Sequence, residues 1–109
     1  MNLRYFIKNK NKLYCSVTGI AKYKQLFMNV HINIEKKYFD IDKQQVKKNH
    51  NNHFKINKFL SDYKSKIESW YLDFISNYPK YEYDFFVTEI KRFLSNTDDK
   101  SIFDYYKEY

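Results

Sequence analysis

The feature that most constrains the fold is a regular alternation of side chains over residues 25–34. Every second residue from Leu26 to Ile34 is apolar, whereas most positions between them are polar. Because successive side chains of a β-strand point to opposite faces of the sheet, this period of two predicts a strand with one buried and one open face. The buried side would hold Leu26, Met28, Val30, Ile32 and Ile34, and the open side Gln25, Phe27, Asn29, His31 and Asn33.

Two shorter segments, residues 3–8 and 13–18, alternate in the same way. The polar stretch Asn9-Lys10-Asn11-Lys12 between them predicts a hairpin turn, since Asn tolerates the positive φ that such turns need. Gly19, the one glycine of the chain, predicts a second turn. The apolar sides of these strands would hold Leu3, Tyr5, Ile7, Leu13, Cys15 and Val17, and the open sides Arg4, Phe6, Lys8, Tyr14, Ser16 and Thr18.

Three strands with one apolar face need a helix to cover it. Apolar residues spaced three and four apart between Ile56 and Ile75 predict this helix, with Asn52 as its N-cap and Pro79 after its end. A shorter helix over residues 85–95, capped by Asp84, would follow. The predicted fold is α+β, a three-stranded antiparallel sheet packed against a long helix, with a second short helix after it. The long helix would add Phe59, Tyr63, Ile67, Trp70 and Phe74 to the core.

Charge is divided unevenly along the chain. Residues 1–66 contain fifteen Lys and Arg but four acids, a net charge of +11, whereas residues 67–109 contain five bases and nine acids, a net charge of −4. A basic sheet beside an acidic helical part is typical of a phosphate-binding surface. The alternative is a lysine-rich solvated surface that reflects a biased genome, but such a bias would not keep the acids out of the first half.

The sequence gives little support for a reactive thiol, a metal site, a glycine-rich phosphate loop or a membrane span. The single cysteine, Cys15, excludes an internal disulfide, and its place on an apolar strand side predicts a buried, inert thiol. His50 and His53 have a spacing that metal ligands use, yet their neighbours are amides, so we expect no metal site and no cofactor. A single glycine excludes a glycine-rich phosphate loop. No apolar run approaches about 18 residues, so we expect a cytoplasmic protein without membrane contact.

The open sheet face is better suited to nucleic acid. It combines cations for phosphates, amides and hydroxyls for base edges, and aromatic rings for methyl or sugar contact. Lysines in the flanking turns, including Lys10 and Lys12, would reach the DNA backbone. An ordinary solvent-facing polar surface is the other interpretation, although three aromatic residues are unusual on one. The candidate DNA-binding residues are Arg4, Phe6, Lys8, Tyr14, Ser16, Thr18, Lys22, Lys24, Gln25, Phe27, Asn29 and His31.

The order of these segments resembles the arm DNA-binding domain of Bacteroidetes-type phage and transposon integrases, which are tyrosine recombinases. In that family the third strand leads to an aromatic-Asp pair, a basic turn with a Val, and a long helix with an Asn near its start. The matching residues here are Tyr14-Cys15-Ser16-Val17-Thr18, Val30-His31-Ile32-Asn33-Ile34, Phe39-Asp40, Val46 with Lys47-Lys48, and Asn57.

The resemblance implies that residues 1–96 form an arm-type domain, which contacts arm-type sites in duplex DNA during integration and excision. Ser101-Ile102-Phe103-Asp104 is similar to the opening of the family's helical, SAM-like core-binding domain, so residues 97–109 would be a linker and the truncated start of that domain. The family's catalytic Arg, His and Tyr lie in a further domain outside this sequence. The resemblance therefore implies a DNA-binding module of a mobile-element recombinase and not an enzyme, with other protomers bound through the missing domains.

A different binding module remains open. A small basic α+β domain also suits RNA or a protein partner, and single-stranded RNA would stack its bases on Phe6, Tyr14 and Phe27.

Overall fold

The computed structural model describes residues 1–97, and it confirms the predicted α+β fold. Three strands, β1 (Asn2–Lys8), β2 (Lys12–Thr18) and β3 (Leu26–Asn33), form an antiparallel sheet in the order β1-β2-β3. Helices α1 (His53–Asn77) and α2 (Tyr83–Thr97) follow, after a 3₁₀ turn at Lys36–Tyr38. The predicted start of another domain lies outside the described residues, and of the predicted linker only Thr97, at the end of α2, is described.

The predicted face of the sheet is buried. Met28 and Val30 lie in the core, whereas Phe27 before them and His31 after them are exposed, so the predicted faces of β3 are correct. Trp70, predicted in the core, is only half-buried, in keeping with the size of its ring. The other predicted core residues are all buried: Leu3, Tyr5, Leu13, Cys15, Val17, Leu26, Met28, Val30, Phe59, Tyr63, Ile67 and Phe74.

Strand β3 contains an irregularity opposite β2. Lys12 pairs with Asn33 and Tyr14 with Asn29, so two residue steps in β2 face four steps in β3. At this point His31 has φ +65°, and its N–H donates to Asn29 Oδ1 at 2.8 Å. Because side chains alternate with a period of two, an excess of two residues leaves every later side chain on its original face. The alternation in the sequence therefore continues through the irregularity.

A second, two-stranded sheet is a feature that the sequence analysis missed. Its strands are β4 (Phe39–Asp40) and β5 (Gln45–Val46), and the turn between them is held by Asp40 Oδ1, which accepts the N–H groups of Asp42 and Lys43 at 3.1 Å each. The Gln44 side-chain amide bonds to both the N–H and the carbonyl of Tyr5. This pair of bonds fixes the small hairpin to the outer edge of β1.

Asn57 connects the same hairpin to α1. Its Oδ1 accepts the Val46 N–H at 2.7 Å, and its Nδ2 donates to the Val46 carbonyl at 3.0 Å. The asparagine near the start of the long helix, which formed part of the family resemblance, therefore has a structural role in this chain.

Helix α1 begins directly after its predicted N-cap position, whereas α2 begins two residues earlier than predicted. Asn52 stands at the N-cap position of α1, but its side chain makes no capping hydrogen bond to any described residue. α2 begins at Tyr83, so Asp84 lies in the first turn and is not the N-cap, which corrects the prediction. A carboxylate in the first turn still interacts favourably with the helix dipole. Phe86 and Ile90, both fully buried, pack α2 into the core.

Candidate nucleic-acid interface

Three aromatic side chains, one from each strand, form a cluster on the open face of the main sheet. The Phe6 ring is stacked on Tyr14, with centroids 5.9 Å apart and 23° between the planes, and meets the edge of Phe27 at 5.7 Å and 80°. Pairing of Phe6 with Tyr14 in the sheet register brings the first two rings together. Phe27 is 53% exposed, so this aromatic cluster is accessible from solvent.

Polar side chains surround the aromatic cluster. Asn29 lies opposite Tyr14 in the register, and Ser16 lies between Arg4 on β1 and Phe27 on β3. Because Asn29 Oδ1 accepts the backbone N–H of His31, its amide group is held beside the backbone of that exposed residue. The face thus presents hydroxyl, amide and imidazole groups around an apolar centre.

Three lysines, Lys8, Lys10 and Lys12, lie at the end of the sheet that carries the β1–β2 turn. Lys8 and Lys12 are paired directly opposite each other, and Lys8 Nζ lies 5.9 Å from the centroid of Phe27. The turn between the strands has φ values of +52° at Asn9 and +74° at Lys10, as the predicted hairpin requires. Residues 1–34 contain six Lys and Arg and no Asp or Glu. The positive potential of this sheet is therefore not offset by acids of its own strands and turns.

Other predicted site residues lie at the rim. Lys22 and Lys24 belong to the β2–β3 loop, and Lys24 Nζ lies 5.4 Å from the ring centroid of Tyr83 at the start of α2.

Gln25 comes just before β3 and not within it. Thr18 ends β2, where it pairs with Asn2. Arg4 donates from Nη2 to the Ile41 carbonyl at 3.1 Å, which holds its guanidinium beside the β4–β5 turn.

Helix α2 brings a cation to the sheet that the sequence analysis did not assign to this face. A cleft of about 320 Å³ separates β3 from the end of α2, and its lining includes Phe27, Asn29 and His31 on one side and Lys91 and Ser95 on the other. No local pattern indicates this proximity, because Lys91 belongs to the acidic half of the chain. It follows from the burial of α2 in the core.

The cysteine and the two histidines that the sequence analysis considered each make contacts with other described residues. Burial raises the pKa of the Cys15 thiol to about 12, and a hydrogen bond joins it to Tyr63, whose pKa is also raised by burial. His50 Nδ1 accepts the Asn52 N–H, and His53 Nδ1 contacts the His50 carbonyl at 3.0 Å. Within residues 1–97 no group of three or more His, Cys, Asp or Glu is placed to hold a metal ion.

The same part of the chain contains no helix with the length and apolar character that crossing a bilayer requires.

Comparison with known proteins gave one result. A family model described as an arm DNA-binding domain matches residues 6–87, which is more than half of the 109-residue chain. The matched segment contains the last three residues of β1, all of β2 to β5 and α1, and the first turn of α2. Neither the comparison with curated proteins nor that with solved structures gave a match.

Proposed function

The chain belongs to the arm DNA-binding domain family, and from this premise we propose that it binds duplex DNA with the open face of its three-stranded sheet. The observation that carries the proposal is the combination on one acid-free sheet of lysines, hydrogen-bonding side chains and the aromatic cluster. A domain of this family is a DNA-binding module and not a catalytic one. The resemblance to Bacteroidetes-type integrases supports a parent protein that is a site-specific tyrosine recombinase of a mobile element.

The dimensions of the sheet support entry into the major groove. Two inter-strand spacings of about 4.8 Å each place the outer strands roughly 10 Å apart. The major groove of B-DNA is about 12 Å wide and admits a β-ribbon. A three-stranded sheet entering with its open face forward would bring side chains of its strands to the base edges and the turns and loops at its ends to the sugar–phosphate backbones.

Repulsion between paired lysines supports an anionic partner. Lys8 and Lys12 lie directly opposite each other, and like charges in that position destabilise a sheet. A phosphate between them would remove this penalty. We therefore assign Lys8, Lys12, Lys22 and Lys24 to phosphates, which position the domain, and Asn29, Ser16, Thr18, Gln25 and His31 to base edges, which specify the sequence.

The arrangement of the rings favours duplex DNA over single-stranded RNA. Single-strand binders offer separate aromatic surfaces on which successive bases stack. Here Phe6 contacts both Tyr14 and Phe27, so the three rings form one cluster and not separate surfaces for successive bases. Such a cluster suits van der Waals contact with thymine methyl groups or sugars in a groove.

We expect the 109-residue chain to bind a mixed-sequence duplex weakly and with strong salt dependence. If three to five phosphates are neutralised, log K falls with log salt at a slope of about −2.7 to −4.5, from about 0.9 per phosphate. Fluorescence anisotropy with a labelled duplex between about 50 and 200 mM salt measures the slope. Preferential competition by single-stranded RNA of the same length, or a slope near zero, would contradict duplex binding through this surface.

We expect Lys91→Ala to reduce the magnitude of that slope by about 0.9, which corresponds to the loss of one phosphate contact. Lys91 lines the cleft beside Phe27, Asn29 and His31. Arg92, one residue further along α2, is the matched control, because its guanidinium pairs with Glu89 at 3.3 Å. Arg92→Ala removes the same charge from the same helix. If both variants reduced the slope equally, the change would be due to net charge and not to a contact in the cleft.

The recombinase assignment is tested separately, by reading the coding sequence downstream. A catalytic domain with the Arg, His and Tyr set of tyrosine recombinases supports it, and a gene without one contradicts it while leaving DNA binding by this module untouched.

A further inference from the structure

The β2–β3 loop carries an aromatic residue that belongs neither to the core nor to the aromatic cluster. Tyr23 is 94% exposed, the largest exposure among the exposed large hydrophobic side chains of the described residues. Its backbone has φ +61°, in the left-handed region. Bulky side chains rarely adopt this conformation, whereas Gly and Asn adopt it readily. A residue that is both strained and unburied contributes little to the stability of the fold. This points to a role in binding and not in folding.

The loop around Tyr23 is anchored at both ends. Ile20 is buried, and its carbonyl accepts a hydrogen bond from the Tyr81 hydroxyl. The Lys24 N–H donates to the Ala21 carbonyl at 3.2 Å, which closes a turn around Tyr23. These contacts hold the loop against the segment that leads into α2, so Tyr23 projects from a supported turn.

The side chains next to Tyr23 are suited to binding phosphate. Lys22 and Lys24 flank it in the sequence, and Lys22 Nζ lies 5.4 Å from the centroid of its ring. The loop joins β2 to β3, which both contribute to the aromatic cluster. If the sheet lies in the major groove, loops at its ends border the sugar–phosphate backbone. A tyrosine there offers an apolar ring to a deoxyribose and a hydroxyl to a phosphate.

We propose that Tyr23 is a DNA-contacting residue, which packs its ring on the sugar–phosphate backbone beside the groove while Lys22 and Lys24 bind the adjacent phosphates. The inference rests on the proposed function and deepens it by adding an uncharged backbone contact. It explains why the position holds an aromatic residue although its backbone conformation favours Asn or Gly. A contact to the backbone would act alike on every DNA sequence.

The test compares Tyr23→Asn with the unchanged 109-residue chain on one labelled mixed-sequence duplex. Because Asn tolerates a positive φ, the variant should keep the loop and unfold at the same or a higher temperature. We expect its affinity to fall about tenfold at fixed salt, while the slope of log K against log salt stays unchanged because the ring carries no charge. Tyr23→Gly provides the same test if the Asn variant fails to fold, and Tyr23→Phe should retain most of the affinity.

Phe54 on α1 is the control, since it is 77% exposed and is not in the β2–β3 loop. Phe54→Ala should leave the affinity within about twofold, as expected of a surface substitution outside the proposed DNA-binding face. Unchanged affinity of Tyr23→Asn, in a chain that itself binds with the expected salt slope, overturns this inference alone. A slope that falls together with the affinity overturns it as well, because the loss would then come from displaced lysines. A parent chain that does not bind duplex DNA overturns both proposals.

Discussion

Replacing Phe86 with alanine is expected to lower the free energy of unfolding by about 3–5 kcal/mol, as for other buried Phe→Ala changes. Phe86 is fully buried, and its ring lies within 5.7 Å of the ring centroids of Trp70, Phe74 and Tyr81. The substitution leaves a cavity where α2 meets α1. Since small domains have a total stability of about 5–15 kcal/mol, this loss would take a large part of it. Urea unfolding followed by circular dichroism measures the change.

The control for this prediction is Phe54→Ala, which removes an equal volume from an exposed position of α1. We expect a change within about 0.5 kcal/mol there, as for most surface substitutions. If Phe86→Ala cost less than about 1 kcal/mol, α2 would not be part of the cooperative core. The cleft between β3 and Lys91 would then lose its structural basis.

Replacing Lys8, Lys22 and Lys24 together with alanine is expected to weaken duplex binding by two to three orders of magnitude at about 0.1 M salt, because each phosphate contact contributes about 0.9 to the slope. The three lysines lie at the two ends of the sheet, in a segment without acids. The magnitude of the salt slope should fall by about 2.7 in the same variant. Anisotropy titrations of the parent and the variant over a range of salt concentrations give both quantities.

The matched control replaces Lys55, Lys58 and Lys66, which are exposed residues of α1. It lowers the net charge by the same three units, yet α1 covers the core face of the sheet and not the open face. We expect the control to keep most of the affinity and most of the slope. If both triple variants lose binding equally, the chain binds DNA through its overall charge and not through the sheet face. Unchanged thermal unfolding of both variants would show that the losses are not due to unfolding.

Local periodicity accounts for the correct part of the prediction. The alternation from Leu26 to Ile34 predicts which side of β3 is buried, and the spacing of Phe59, Tyr63 and Ile67 does the same for α1. The irregularity at His31 did not spoil the first prediction, because an excess of two residues keeps the parity of the strand. An excess of one residue would have placed the later side chains on the wrong face.

Interactions between distant residues account for what was missed. Strands of two residues are too short to show a period, so local alternation does not predict β4 and β5. They are defined instead by Gln44, which bonds to Tyr5 thirty-nine positions away, and by Asn57, which bonds to Val46. The prediction of Asp84 as the N-cap of α2 was also wrong, because the apolar pattern of α2 starts after the helix itself does.

The class of the fold, the faces of the strands and the basic character of the sheet could be predicted from the sequence, because these depend on residues that are neighbours along the chain. Which side chains meet on the open face depends instead on contacts between residues far apart in the chain. The contact of Phe6 with both Tyr14 and Phe27 requires the registers of two strand pairs, and the approach of Lys91 to Asn29 requires the packing of α2 through Phe86. Packing of this kind depends on the volumes and shapes of side chains far apart in the sequence, which no local pattern encodes.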